Sequence, residues 1–163
     1  MTFDLMITML VFVAAISAGL MAGVYFAFSG FIMRSFDQLG GAKAADAMNA
    51  INEVILRSWF MPLFFGSTLL FAVLMALPVF GSGLPGRWLL FTAGLIYVAG
   101  MFLCTAVFNV PLNNQLAKAG GDDRTKAGMW ARYYKIWTRW NHVRSVCSLV
   151  ALVLSMTYLV RYA

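Results

Sequence analysis

The sequence is poor in charge. Only 11% of its 163 residues are Asp, Glu, Lys or Arg, whereas 62% are hydrophobic. Soluble domains carry roughly 25% charged residues, and a soluble fold of this size could not hide so much apolar surface in its core. These proportions argue against a soluble globular protein. They favour a single transmembrane domain, residues 1–163, which has the lipid bilayer as its solvent.

The residues that build most metal and redox sites are also scarce. The chain has two cysteines, Cys104 and Cys147, both within apolar stretches, and one histidine. No disulfide framework is expected, and no zinc or di-iron ligand set can be assembled. Signatures for covalent haem, nucleotide binding and Ser/His/Asp catalysis are missing from the sequence. We therefore expect no metal and no cofactor, with one alternative: a haem b that has His142 as its axial ligand.

The net charge of +6 does not indicate a nucleic-acid partner. The basic residues lie between apolar stretches, and the excess of Lys and Arg in the cytoplasmic loops of membrane proteins explains that distribution better. The expected partner is the lipid bilayer, and formation of homo-oligomers is left open.

Four apolar stretches can be placed across a bilayer, whose hydrocarbon layer takes about 20 helical residues to cross. We predict an all-α, integral membrane four-transmembrane-helix bundle with helices near 5–29, 58–79, 88–109 and 140–160. Proline and glycine in residues 78–86 predict a tight turn between the second and third helices.

The two long loops are predicted to contain additional short helices, at 41–57 and 125–139. They also carry most of the basic residues, so we expect both loops in the cytoplasm and both termini outside, in a bacterial cytoplasmic membrane. The basic residues of the loops are Arg34, Lys43, Arg57, Lys118, Arg124, Lys126, Arg132, Lys135 and Arg139, and those of the opposite side are Arg87 and Arg161.

Polar residues from three segments are predicted to meet at the cytoplasmic end of the bundle. They are Asn52, Glu53, Asn109, Asn113, Asn141, His142 and Arg144. Ionisable groups within a span tend to face the protein interior and are candidates for function. The structural alternatives are asparagines that cap helix ends and an arginine that extends to the lipid head groups.

Aromatic residues precede the fourth span, among them Tyr134, Trp137 and Trp140. Trp and Tyr concentrate at membrane interfaces, so a belt at the membrane surface is one interpretation. The other is that these rings line a pocket for a flat, conjugated ligand.

Three segments resemble the anthrone oxygenase family of small four-helix membrane proteins. They are WARYYKIWTRWNHVRSVCS before and within the fourth span, NVPLNNQL after the third, and GVYFAFSGFIMRSF at the end of the first. The resemblance extends over nearly the whole chain. It implies a four-helix membrane fold and, for some members, oxidation of polyketide anthrones to anthraquinones by dioxygen without an evident redox cofactor.

The resemblance and the residues together give a hypothesis for catalysis on a small lipophilic aromatic substrate, anthrone- or quinol-like. His142 would remove a proton, and Asn109, Asn113, Asn141 and Arg144 would stabilise the resulting enolate. The substrate-binding candidates are Trp137, Trp140, Tyr134, Asn52 and Glu53. Two alternatives stay open: a haem-binding membrane protein with His142 as ligand, and a non-enzymatic membrane partner subunit.

Overall fold

Helices account for all the regular secondary structure of the residues that the computed structural model describes, which are 3–79, 83, 85–120 and 122–162. The predicted all-α class is confirmed. We number five helical segments along the chain. They are α1 (Phe3–Ala27, a π-helical turn Phe28–Ile32, then Met33–Asp37), α2 (Gly41–Ile55), α3 (Phe60–Ala76), α4 (Arg87–Tyr97, π-helical turns Val98–Leu103 and Thr105–Asn109, then Val110–Lys118) and α5 (Asp123–Tyr162).

Three of these segments, α1, α4 and α5, are long and apolar enough to cross a membrane. Helices α2 and α3 are joined by a short break and bent by 65°, and they supply a fourth span if the bent pair is counted as one. The chain is thus compatible with an integral membrane protein. The count of four spans stays a prediction, and so does the tight turn at 78–86, which lies partly outside the described residues.

The helices extend well beyond the apolar stretches from which the spans were predicted. Helix α5 has 40 residues, so it is about 60 Å long, roughly twice the thickness of the hydrocarbon layer. At its start the Thr125 amide donates a hydrogen bond of 2.7 Å to Asp122 Oδ1. This bond lowers the pKa of the Asp122 carboxyl below its usual value. Because α5 continues without a break from Asp123 to Tyr162, residues 125–139 and the fourth predicted span belong to one helix.

Two hydrophobic clusters hold the helices together. In the first, which joins α1, α3, α4 and α5, the rings of Phe71 and Tyr97 stack at 4.1 Å. The Tyr97 hydroxyl donates to Ser67 Oγ at 2.8 Å, so its polar atom is satisfied away from water.

The second cluster lies at the opposite end, where Trp130, Tyr133 and Trp137 of α5 pack against α2 and α4. The Trp130 indole also donates to Asp37 Oδ1 at 2.8 Å. Lys126 pairs with Asp46 of α2 at 2.8 Å. These contacts fix α2 and the end of α1 against the part of α5 that precedes its apolar stretch.

Glycine permits the closest helix contacts in the bundle. A Cβ atom on Gly94 of α4 would lie 2.5 Å from the Phe71 carbonyl oxygen and 2.6 Å from Met75 Cβ. A Cβ atom on Gly100 would overlap the side chain of Cys147. Small residues at such contacts let helix backbones approach closely, which drives helix association in lipid.

Replacement of Gly94 by alanine tests the α3–α4 contact. Because the added methyl group meets a backbone carbonyl, we expect Gly94→Ala to lower the free energy of unfolding by about 1–3 kcal/mol. Thermal or SDS-induced unfolding in mixed micelles measures the effect. The matched control is Gly66→Ala on α3, where a Cβ atom has nothing within 4 Å and a small stabilisation is expected. Equal stability of the two variants would contradict the tight contact at Gly94.

Candidate functional site

The interior polar site is built where π-helical turns interrupt α1 and α4 beside α5. Such turns are frequent at functional sites, because they displace backbone groups from the regular helical pattern. Asn141 of α5 is fully buried. Its Nδ2 donates to the Tyr25 carbonyl oxygen at 2.7 Å and to Ser29 Oγ at 2.6 Å. Asn141 therefore bridges α5 to the irregular part of α1.

The other side of the Asn141 amide orients Arg144. Arg144 Nη2 donates to Asn141 Oδ1 at 2.7 Å, and Nη1 donates to Thr105 Oγ1 at 3.4 Å. Thr105 uses its own hydrogen in a bond of 2.7 Å to the Met101 carbonyl oxygen, so its oxygen is free to accept. The Asn141 and Thr105 oxygens thus hold the guanidinium from two helices.

Two aromatic rings cover the guanidinium. The Cζ atom of Arg144 lies 4.4 Å from the centre of the Tyr25 ring and 4.9 Å from that of Trp137. Cation–π contacts of this kind strengthen when they are shielded from water. Only 5% of the Arg144 surface is exposed, so the rings replace part of the hydration that the charge has lost.

The charge of Arg144 has no counter-ion among the described residues. None of their carboxylates forms an ion pair with Arg144, and Arg144 Nε has no hydrogen-bond partner. A buried cation is costly unless it is paired, and intramembrane ionisable groups are functional candidates by default. The arrangement is suited to an anion, or to a group that becomes anionic during a reaction.

A cavity of about 230 Å³ adjoins Arg144 and is lined by residues of all five helices. Most of its lining is apolar. Three donors on its lining residues are buried and lack a partner: Arg144 Nε, Trp137 Nε1 and Asn52 Nδ2. Tyr25, Thr105 and Asn113 also line it. A cavity with this surplus of donors is complementary to a ligand that carries acceptor oxygens on an otherwise apolar body.

The structure places His142 outside this cavity. His142 is exposed and lines a separate groove between α1 and α5, together with Ser29 and Ser145. His142 and Arg144 therefore line different pockets. The reason is helix geometry, because residues two apart lie about 200° apart around the axis. The catalytic and haem-binding roles of His142 stay predictions.

The predicted asparagines are only partly brought together. Asn109 is buried, donates to the Trp137 carbonyl oxygen at 3.3 Å, and has an unpartnered Oδ1, but it does not line the cavity. Asn113 does line it and accepts a hydrogen bond of 2.8 Å from the Tyr133 hydroxyl.

Of the predicted substrate-binding residues, Trp137 and Asn52 reach the cavity and the other three do not. Trp140 stacks on Phe108 with ring centres 3.6 Å apart. Tyr134 packs near Trp130, and Glu53 lies on the exposed outer side of α2. Their assignment as substrate-binding residues stays a prediction that the cavity does not support.

Sequence reasoning missed Tyr25, Thr105 and Ser29. Each is a hydroxyl-bearing residue inside an apolar span, which was a usable signal because polar groups in lipid need partners. What the sequence could not supply was the identity of those partners, Arg144 and Asn141.

For metals, no group of three or more His, Cys, Asp or Glu side chains among the described residues could hold an ion.

The fold and this site define an apolar helix bundle with a buried cation beside an interior cavity. The anthrone oxygenase family model matches residues 54–154, more than half of the chain. The protein belongs to the anthrone oxygenase family. Comparison with curated proteins and with solved structures gave no significant match. The matched region contains Thr105, Asn113, Trp137, Asn141 and Arg144.

Replacement of Asn141 by leucine tests whether this amide organises the interior. The change removes the hydrogen bond to the Tyr25 carbonyl oxygen and the acceptor of Arg144 Nη2, so we expect a loss of about 2–4 kcal/mol in the free energy of unfolding. SDS-induced unfolding in mixed micelles measures it. Val143→Leu, at an exposed position of the same turn, serves as the control and should change little. An Asn141→Leu variant as stable as the control would remove Asn141 from the organising role.

Proposed function

We propose that the protein is a membrane-embedded oxygenase that acts on a flat, lipophilic, anthrone- or quinol-like substrate in the cavity beside Arg144. The observation that carries the proposal is the buried guanidinium, which has no counter-ion among the residues that the structure describes. Membership of the anthrone oxygenase family supports the same reaction class.

In this proposal the cavity holds the substrate as a ketone with an acidic C–H group next to its ring system. Loss of the proton gives an enolate, and the negative oxygen lies against Arg144. Stabilisation of a developing oxyanion by fixed donors is often the largest catalytic contribution. The unpartnered N–H groups of Trp137 and Asn52 supply further donors to substrate oxygens.

The electron-rich enolate then reacts with dioxygen at carbon. Proton transfer to the peroxide and loss of water leave a second carbonyl group. In sum, a CH₂ group and O₂ become a C=O group and H₂O. Dioxygen accepts the two electron pairs that the carbon loses, so no external reductant is required. The protein contributes by binding the ketone, orienting it and stabilising the anion.

No carboxylate or imidazole is among the residues that line the cavity. We therefore propose that the proton passes to water at the mouth, where Asn113 and the exposed Asn114 lie. Arg144 promotes this step, because a nearby cation lowers the pKa of a group that ionises to an anion. We propose that this mouth faces the cytoplasm, because the two loops rich in Lys and Arg lie at the same end of the predicted spans.

Removal of the cation is the direct test. We expect Arg144→Gln to lower kcat for anthrone by about 10²–10³-fold, the range typical for loss of an oxyanion donor. Dioxygen consumption and the absorbance of anthraquinone are followed with purified protein in nanodiscs. Arg139→Gln, an exposed arginine of the same helix, is the control and should retain its rate.

A nearly isosteric change gives Arg144 a counter-ion, although it also removes the hydrogen bond that Asn141 Nδ2 donates to the Tyr25 carbonyl oxygen. In Asn141→Asp a carboxylate replaces the amide 2.7 Å from Arg144 Nη2, which pairs the guanidinium internally. The same assay should show a loss of at least tenfold while the variant keeps its helical content. Wild-type turnover in both Asn141→Asp and Arg144→Gln would contradict an anion-stabilising role.

The position of His142 gives a further prediction. Because its side chain lines the other groove, we expect His142→Gln to keep kcat within about threefold of the wild type, whereas loss of a general base typically costs about 10²-fold or more. A large loss in His142→Gln with little loss in Arg144→Gln would move the reaction to the groove and restore His142 as the base.

The visible spectrum of the same samples tests the haem alternative, since a Soret band that disappears in His142→Gln would support it.

A further inference from the structure

The groove between α1 and α5 is separate from the cavity beside Arg144. It has a volume of about 470 Å³, and the two share no lining residue. Phe26, Val146 and Leu149 along its edges are more than half exposed, on helices long enough to span a membrane. The groove is therefore open to the surface that lipid would cover.

The groove is polar at one end only. Ser29, His142 and Ser145 are its hydrogen-bonding members. Ser145 Oγ is buried without a partner, and the described residues offer the His142 imidazole none. Ser29 Oγ accepts from Asn141, which leaves its hydrogen available. All three side chains can donate a hydrogen bond to an oxygen atom.

The rest of the groove is apolar and smooth. Its floor contains Gly19, Ala22 and Gly23, and a Cβ atom on Gly23 would have nothing within 4 Å. From Gly19 to Gly30 the helix rises about 16 Å, enough for a flat ring system with a short tail. Leu149 and Leu152 of α5 complete the wall.

The charges define the class of ligand. No Lys, Arg, Asp or Glu is among the residues that line the groove, so nothing there compensates an anionic or zwitterionic head group. Donors at one end suit a neutral carbonyl oxygen, and a glycine floor suits a planar body. A phospholipid or a fatty acid lacks this match.

We propose that the groove between α1 and α5 binds a neutral, planar carbonyl compound of the quinone type from the bilayer, with its oxygen hydrogen-bonded by His142 and Ser145. The site is independent of the reaction beside Arg144. Binding there involves no covalent or redox step.

The single histidine of the chain makes this site directly observable. Protein labelled with ¹⁵N-histidine in phosphatidylcholine nanodiscs gives imidazole signals from His142 alone. Addition of 9,10-anthraquinone at increasing mole fraction in the lipid should shift these signals until they saturate. Gly23→Leu fills the groove and should abolish the shift. Gly66→Leu, which adds the same side chain at another open helical glycine, should preserve it.

A further variant and a further assay sharpen the interpretation. Ser145→Ala removes one donor and should weaken the apparent affinity about fivefold to tenfold without a change of fold. Gly23→Leu, which lies outside the cavity beside Arg144, should keep dioxygen consumption on anthrone within about threefold of the wild type, so that failure of the proposed oxygenase reaction and failure of this site are distinguishable.

Three outcomes would overturn the proposal. The first is no shift at any quinone concentration. The second is an unsaturable shift that is the same in Gly23→Leu, which would indicate partition into lipid only. The third is a shift that follows the protein-to-lipid ratio without quinone and disappears in Gly23→Leu, which would identify a second copy of the chain as the occupant.

Discussion

The guanidinium of Arg144 is the charge around which the bundle is arranged. Within an apolar environment it cannot be hydrated by bulk water, and every compensating group has to come from a helix. The partners found are the Asn141 amide, the Thr105 hydroxyl and the faces of Tyr25 and Trp137. They come from α1, α4 and α5. The buried charge therefore finds its partners only when these three helices are docked against one another.

The π-helical turns lie beside two of the groups that hold Asn141 and Arg144 in place. A regular α-helix uses its backbone carbonyls internally, whereas the Tyr25 carbonyl oxygen, just before the turn at Phe28–Ile32, accepts from Asn141. On α4, Thr105 begins the second of two such turns. Irregular backbone at membrane depth is tolerated where protein covers it. These partners do not satisfy the whole guanidinium, because Arg144 Nε has no hydrogen-bond partner.

Composition and periodicity were enough to predict the helical class and much of the buried face of α5. The residues predicted to share one face are Trp137, Asn141, Arg144, Ser145 and Ser148. All are buried except Ser145, which is half-buried. The division between α2 and α3 was predicted, and Pro62 in the first turn of α3 is typical of a helix start, but the sequence could not predict the angle of 65° between the two helices. The π-helical turns have no composition of their own either. Pairs such as Asn141 with the Tyr25 carbonyl depend on how distant helices dock, which local pattern does not encode.

The spacing of His142 and Arg144 limits which mechanisms the helix can support. Two residues of rotation, about 200°, turn His142 toward the surface of the bundle and Arg144 toward its interior. A proton acceptor and an oxyanion donor that act on one ketone must both lie within hydrogen-bonding distance of the same ring system. Side chains on opposite faces of a packed helix cannot both do so unless the helix unwinds. In the two proposals made above, the arginine side of α5 stabilises an enolate and the histidine side binds a neutral carbonyl compound, so each face of the helix is assigned a different role.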